Sequence, residues 1–182
     1  MKIAKIFFVI ILSVLSYSLV FAEEHKSFEQ LYYGRFSKIK GFRYIEVNLD
    51  KSKEIELSKN ELTDYVKLKF RNNFRGIQIL TDEQVVKMLV KGRGEKLGYI
   101  WFDVFIRGDT DYPVVYYVQC RAGNLKHFSD NLPAPIQQNS IIWEKAYIGF
   151  CRKINVSEKI KKVINGLIEE LAIDFFKARS EL

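Results

Sequence analysis

Between Ser157 and Phe176, apolar residues recur at Ile160, Val163, Ile164, Leu167, Ile168, Leu171, Phe175 and Phe176. Steps of three and four line one side of a helix. Such a stripe must leave water, so the helix needs a second layer to receive it. Ser157 is the expected cap, and Gly166 is a weak point, because a glycine inside a helix costs about 1 kcal/mol relative to alanine. The receiving layer is written where the period changes to two. Residues 99–107 alternate Ile100, Phe102, Val104 and Ile106 with Tyr99, Trp101, Asp103 and Phe105, which predicts a strand covered on both sides. Residues 112–121, rich in Val and Tyr, and residues 141–151 predict two more strands, the first entered through the turn Gly108-Asp109-Thr110-Asp111.

Upstream the two periods alternate. Residues 42–49 set Arg43, Ile45, Val47 and Leu49 against Phe42, Tyr44, Glu46 and Asn48, and 50–56 form a charged loop. Ser58-Lys59-Asn60-Glu61 has the form of a capping box, ahead of a stripe of Leu62, Tyr65, Val66, Phe70 and Phe74. Gly76 ends that helix and 77–80 form a short strand. Thr81-Asp82-Glu83-Gln84 opens a second short helix with Val85, Met88 and Leu89. The order is β-α-β-α-β-β-β-α. It predicts an α+β fold: a single mixed, largely antiparallel sheet of about five strands with two long helices packed on it. The chain of 182 residues suits one domain, placed at 42–182, with 23–41 as a lead-in segment.

Residues 1–22 belong to neither layer. Lys2 and Lys5 precede an apolar run that ends in Val20-Phe21-Ala22, followed by polar Glu23-Glu24-His25-Lys26. This is the pattern of a signal peptide. The other reading is an uncut membrane anchor, since 6–22 reaches the lower limit for spanning a bilayer of roughly 30 Å. Either way the domain is expected outside the cytoplasm, periplasmic or secreted. Without residues 1–22 the chain has 160 residues and its charge falls from +7 to +5, because Lys2 and Lys5 go with the leader.

Export makes a disulfide between Cys120 and Cys151 chemically open. The predicted hairpin argues against it. Pairing 112–121 with 141–151 puts Cys120 beside Glu144 and Cys151 beside Pro113, on the order of 23 Å apart at roughly 3.3 Å per residue. A disulfide needs Cα atoms within about 7 Å. Two free thiols are the expectation.

No catalytic, metal or cofactor constellation is legible. His25 and His127 have no Cys, His or carboxylate at ligand spacing, so no metal, cofactor or histidine triad is expected. Asp103, Asp109 and Asp111 are the only carboxylate group suggesting a hydrolase acting on envelope or glycoside substrates, and turn formation explains the latter two. Gly92, Gly94 and Gly98 lack the strand–loop–helix setting of a phosphate loop. Two surfaces remain. A candidate basic face gathers Lys67, Lys69, Arg71, Arg75, Lys91 and Arg93, with Lys87 and Lys96 nearby; it suits an anionic polymer, an acidic partner or peripheral membrane contact, and export disfavours nucleic acid. A candidate partner-binding loop spans 122–139 and holds Leu125, His127, Phe128, Leu132, Pro133 and Pro135. The residues therefore point to an exported, non-catalytic binding module for an envelope protein or anionic polymer, with the carboxylate hydrolase as the alternative.

The run Leu62-Thr63, Val66-Lys67-Leu68-Lys69-Phe70-Arg71-Asn72-Asn73 and Gly76-Ile77-Gln78-Ile79-Leu80 resembles a pattern in small exported bacterial proteins of unknown function. The resemblance continues through Gly98-Tyr99-Ile100-Trp101-Phe102-Asp103-Val104, Val115-Tyr116-Tyr117-Val118-Gln119, Ile141-Ile142-Trp143 and Asp174-Phe175-Phe176, and covers about residues 40–178. It brings no catalytic residues. The element order is also similar to the amino-terminal domain of TolB, which implies an envelope module that binds proteins. The lipid-attachment cysteine and propeller repeats of some such relatives are missing here.

Overall fold

The computed structural model describes residues 34–108, 113–127 and 137–180. After a helical stretch at 34–38 the order is β1 (Gly41–Lys51), α1 (Lys59–Asn73), β2 (Gln78–Ile79), α2 (Asp82–Val90), β3 (Leu97–Arg107), β4 (Val114–His127), β5 (Gln137–Cys151) and α3 (Val156–Ser180). The predicted α+β order is the observed one. One sheet runs β2-β1-β3-β4-β5. β1 is parallel to both β2 and β3, and the β3-β4 and β4-β5 pairs are antiparallel.

Alternation along the strands sorts their side chains onto two faces. On one face Val47, Ile100, Phe102, Val104, Ile106, Val118 and Cys120 are buried beneath α1 and α3. α1 contributes Leu62, Val66 and Phe70, and α3 contributes Ile160, Ile164, Leu167, Ile168, Leu171 and Phe175. α2 covers a different place. Its Val85 packs with Leu97, which alternates away from the core side of β3, and Leu80 and Met88 join them. Thus α2 closes one end of the opposite face and leaves the middle of that face open.

Four local expectations are corrected. The register of β1 shifts between Phe42 and Tyr44, so Phe42 lies on the core side with Ile45 and Val47 instead of opposing them. An extra residue in one strand turns the following side chains over, which strict alternation cannot show. α3 begins at Val156 after a 3-10 turn at Lys153–Asn155, so Ser157 lies inside the first helical turn and is not the cap. At α1 the capping box is half made: Ser58 Oγ accepts from the Glu61 N–H at 3.0 Å, while the Glu61 carboxylate accepts from Lys161 of α3. Thr81 and Gln84 complete the box of α2. Finally, Phe36 and Ile39 are fully buried in the core, so the folded unit reaches back into the lead-in segment.

Cys120 and Cys151 are both free. They pair across the ladder with Lys145 and Val114, one residue from the expected register and still far apart. Burial pushes both thiols up, and for Cys151 the nearby Lys159 partly offsets it. Since the thiolate is the reactive form, a thiol reagent is expected to label Cys151 slowly in the native protein. Cys120 should label only on unfolding, so mass spectrometry of native samples should show a single adduct. Two adducts at equal rates would contradict the burial of Cys120.

Candidate functional site on the open sheet face

The open middle of the sheet is assembled from four strands. The register sets Tyr44 beside Tyr99, Glu46 beside Trp101 and Asn48 beside Asp103, and then Trp101 beside Arg121 and Arg121 beside Glu144. Each of these pairs shares a face, because partners across a ladder point the same way. Tyr44 stacks on Tyr99 with centroids 5.8 Å apart and planes 22° off parallel, and Trp101 meets Tyr44 edge-on.

Asp103 is the anchor of the group. It is only 7% exposed and accepts from Trp101 Nε1 at 2.9 Å, from Asn48 Nδ2 at 3.2 Å and from the Arg121 guanidinium. A buried carboxylate is tolerated when it is paired and hydrogen-bonded, and these three donors supply that. The effect is to fix the Trp101 ring and the Arg121 fork in place. Arg121 Nε is buried and finds no acceptor among the described residues. Tyr99, Trp101, Arg121 and Ile141 line a shallow cavity of about 390 Å³.

A register shift beside this cavity shapes its wall. Ala122 pairs with Trp143 and Gly123 with Ile141, leaving Ile142 as the extra residue of β5. A side chain at Gly123 would run into the Ser140 carbonyl, and its Cβ would sit 2.8 Å from the Tyr99 hydroxyl oxygen. Only a glycine lets the Tyr99 ring lie flat there.

Tyr99 is nearly buried, and desolvation, reinforced by Tyr44 and opposed by Arg121, pushes its phenol up to about 12. The unfolded phenol titrates near 10. The folded state thus holds this proton more tightly, and the resulting stability is fully present below pH 10 and lost as pH rises toward 12. Burial also pushes the Tyr116 phenol up, so phenolate absorbance should show more than one late-titrating tyrosine, and Tyr99→Phe should remove the step near 12. A Tyr99→Phe variant with an unchanged alkaline titration would refute the assignment.

Of the carboxylates read as a hydrolase group, only Asp103 is among the described residues. Asp103 is committed to its three donors, and Asp109 and Asp111 lie outside the described residues. On the same face Glu46 sits 3.8 Å from Lys59, Asp50 is paired with Arg107, and Glu144 accepts from Gln119. Among the described residues no group of three His, Cys, Asp or Glu could hold a metal ion.

The basic face divides across the sheet. Lys67, Lys69 and Arg71 are on α1, with Arg75 just after it, on the helix side. Lys69 sits 5.5 Å and Lys161 5.9 Å from the Tyr65 ring centroid. Lys91 and Arg93 follow α2, which packs on Leu97 at the end of the open face.

The expected loop 122–139 is corrected too. β4 continues to His127 and β5 starts at Gln137, so Leu125 and His127 belong to a strand. Pairing between β4 and β5 runs from Leu125 and Asn139 to His127 and Gln137, past the last β3 pair of Gly98 with Asn124. The two strands therefore form an arm beyond the sheet, rooted beside the cavity. Phe128, Leu132, Pro133 and Pro135 lie outside the described residues, as do residues 1–22.

Sequence reasoning missed Tyr44, Asn48, Tyr99, Trp101, Arg121 and Ile141 as a group. Alternation shows the face of each within its own strand, but nothing local shows that β1 lies beside β3.

No protein-family model matches the chain, and no curated protein matches it. Solved structures with a similar outline include two PelC dodecamers from Paraburkholderia phytofirmans. One is 9% identical with a TM-score of 0.43, covering 72% of this chain and 88% of that chain. The other, a single-residue variant, is 10% identical with a TM-score of 0.44, covering 74% and 90%. Rare lipoprotein B from Shewanella oneidensis is 13% identical with a TM-score of 0.25, covering 75% and 94%. The likeness to a TolB amino-terminal domain is not shown and stands on element order. Among the described residues no helix is long and apolar enough to cross a membrane.

Proposed function

We propose that this chain is an exported, non-catalytic binding module of the cell envelope, and that it seats an anionic saccharide polymer on its open sheet face. The cavity lined by Tyr99, Trp101, Arg121 and Ile141 carries this reading. Aromatic walls bury the apolar faces of sugar rings, while the Arg121 guanidinium, about a third exposed, offers donors to a hydroxyl or carboxylate. Lys91 and Arg93, beyond α2 on the same side, extend the positive field along a polymer. The leader-like residues 1–22 supply the argument for export.

Trp101 is partly exposed while Trp143 is buried, so ligand binding should be read by Trp101 fluorescence. Titration with polygalacturonate is expected to shift that fluorescence saturably, and dextran to do so weakly. The shift should disappear in Trp101→Phe and weaken in Lys91→Ala/Arg93→Ala. If no saccharide polymer has an effect while an envelope protein is captured in a Trp101-dependent way, the saccharide reading falls and a protein partner replaces it.

A further inference from the structure

Strand β5 ends the sheet, with β4 on one side and no strand on the other among the described residues. Natural edge strands are blunted by charges, prolines or shortness. β5 is 15 residues long, and its stretch Ala146-Tyr147-Ile148-Gly149-Phe150 has neither charge nor proline. Tyr147 is 50% exposed, Ile148 70% and Phe150 78%. These residues also occupy both faces: Tyr147 pairs with Val118 on the helix side, while Ile148 and Phe150 pair with Tyr117 and Val115 on the open side. Apolar residues on both faces are the pattern of an interior strand.

We propose that β5 pairs antiparallel with β5 of a second copy, about a two-fold axis at Ile148, to give a continuous ten-stranded sheet. The strand is self-complementary in that register. Ile148 meets Ile148 of the second copy, small Ala146 meets Phe150, Tyr147 meets Gly149, and Glu144 meets Arg152, an opposite-charge pair. A closed two-fold contact requires one patch to complement itself in this way. The helix layer complements itself as well. A groove of about 440 Å³ between β5 and α3 is lined by Tyr147, Lys159, Lys162, Gly166 and Glu170, among others. The same axis runs the two α3 helices antiparallel, setting the end with Lys159 and Lys162 toward the end with Glu170. Gly166 between them has no neighbour within 4 Å of a Cβ position, which leaves room for approach.

Every described element lies after residue 33, so the chain from Glu23 onward carries the whole described fold. Analytical ultracentrifugation of that chain is expected to give the mass of two copies. Ile148→Lys places a charge on an exposed position and should keep the circular dichroism spectrum and thermal midpoint of the monomer. It should raise the dissociation constant at least about thirtyfold, the effect of losing one interface hot spot. In a Cys151→Ser background, Ile148→Cys should crosslink to itself on mild oxidation, since facing residues of antiparallel strands have Cα atoms about 4.5–5.5 Å apart. Leu68→Cys, exposed on α1, is the control that should not crosslink. A monomeric mass at all concentrations overturns the proposal. So does a dimer that survives Ile148→Lys and leaves Ile148→Cys uncrosslinked.

Discussion

Phe42→Ala is expected to cost about 3–5 kcal/mol of folding free energy, within the range for deleting a buried phenylalanine. Against a typical total of about 5–15 kcal/mol, that is a large share. Phe42 is 0% exposed and stands where β1, α1 and α3 converge. Its ring meets Phe70 at 5.1 Å and Phe74 at 5.6 Å edge-on, and Phe175 at 5.8 Å. It also lies against Gly98, where a Cβ would approach the Phe42 ring to 2.8 Å. Phe70 on α1, Phe74 at its C-cap and Phe175 on α3 cannot close the space together without moving both helices, so much of the cavity should persist. Urea denaturation should show a lower midpoint at an unchanged slope, the signature of lost stability without a change in exposed surface. A loss below about 1 kcal/mol would mean that the cluster repacks around the gap, contrary to the close packing of protein interiors.

The second large effect is expected at the open face. Arg121→Met removes the cation of Asp103 and leaves a carboxylate that is only 7% exposed with its two neutral donors, Trp101 and Asn48. Breaking a fully buried ion pair from one side costs about 3–5 kcal/mol. The Arg121 side chain is about a third exposed. Solvent screening reduces the expectation here to roughly 2–3 kcal/mol. Asp103→Asn in the same background should recover much of that loss, because the stranded charge disappears while an acceptor remains for Trp101. The double-mutant cycle thus reports the pair as a coupling. Saccharide binding should not recover with it, since the Arg121 guanidinium is gone. Additive losses in the cycle would show that Asp103 and Arg121 act independently, and would remove the anchor on which the cavity geometry depends.

These two sites differ in how far the amino acids announce them. Phe70, Phe74 and Phe175 stand at helical spacing, so their burial follows from periodicity. Phe42 does not: strict alternation placed it with Tyr44, and the register shift after it turned it inward. Ser157 shows the same limit at a helix start, where cap chemistry favoured a serine but the chain entered through a 3-10 turn instead. The arm shows it in a strand. Residues 125–127 and 137–139 pair only with each other, past the last β3 pair of Gly98 with Asn124, and Ala122-Gly123-Asn124 before them carries no apolar alternation. Local pattern then resembles a loop.

What local chemistry determined by itself is the order of elements, the two helices with one apolar side, and the separation of the two thiols along a hairpin. Periodicity, caps and turns act over a few residues, so they are written where they act. What only the tertiary structure decided is adjacency. Tyr44 and Asn48 reach Tyr99, Trp101 and Asp103 because β1 lies parallel to β3, a pairing made after α1, β2 and α2 have intervened. Arg121 joins them through an antiparallel register that neither strand specifies alone. The open face is built from such long-range pairings, and their physical basis is burial of the opposite side of the sheet beneath α1 and α3.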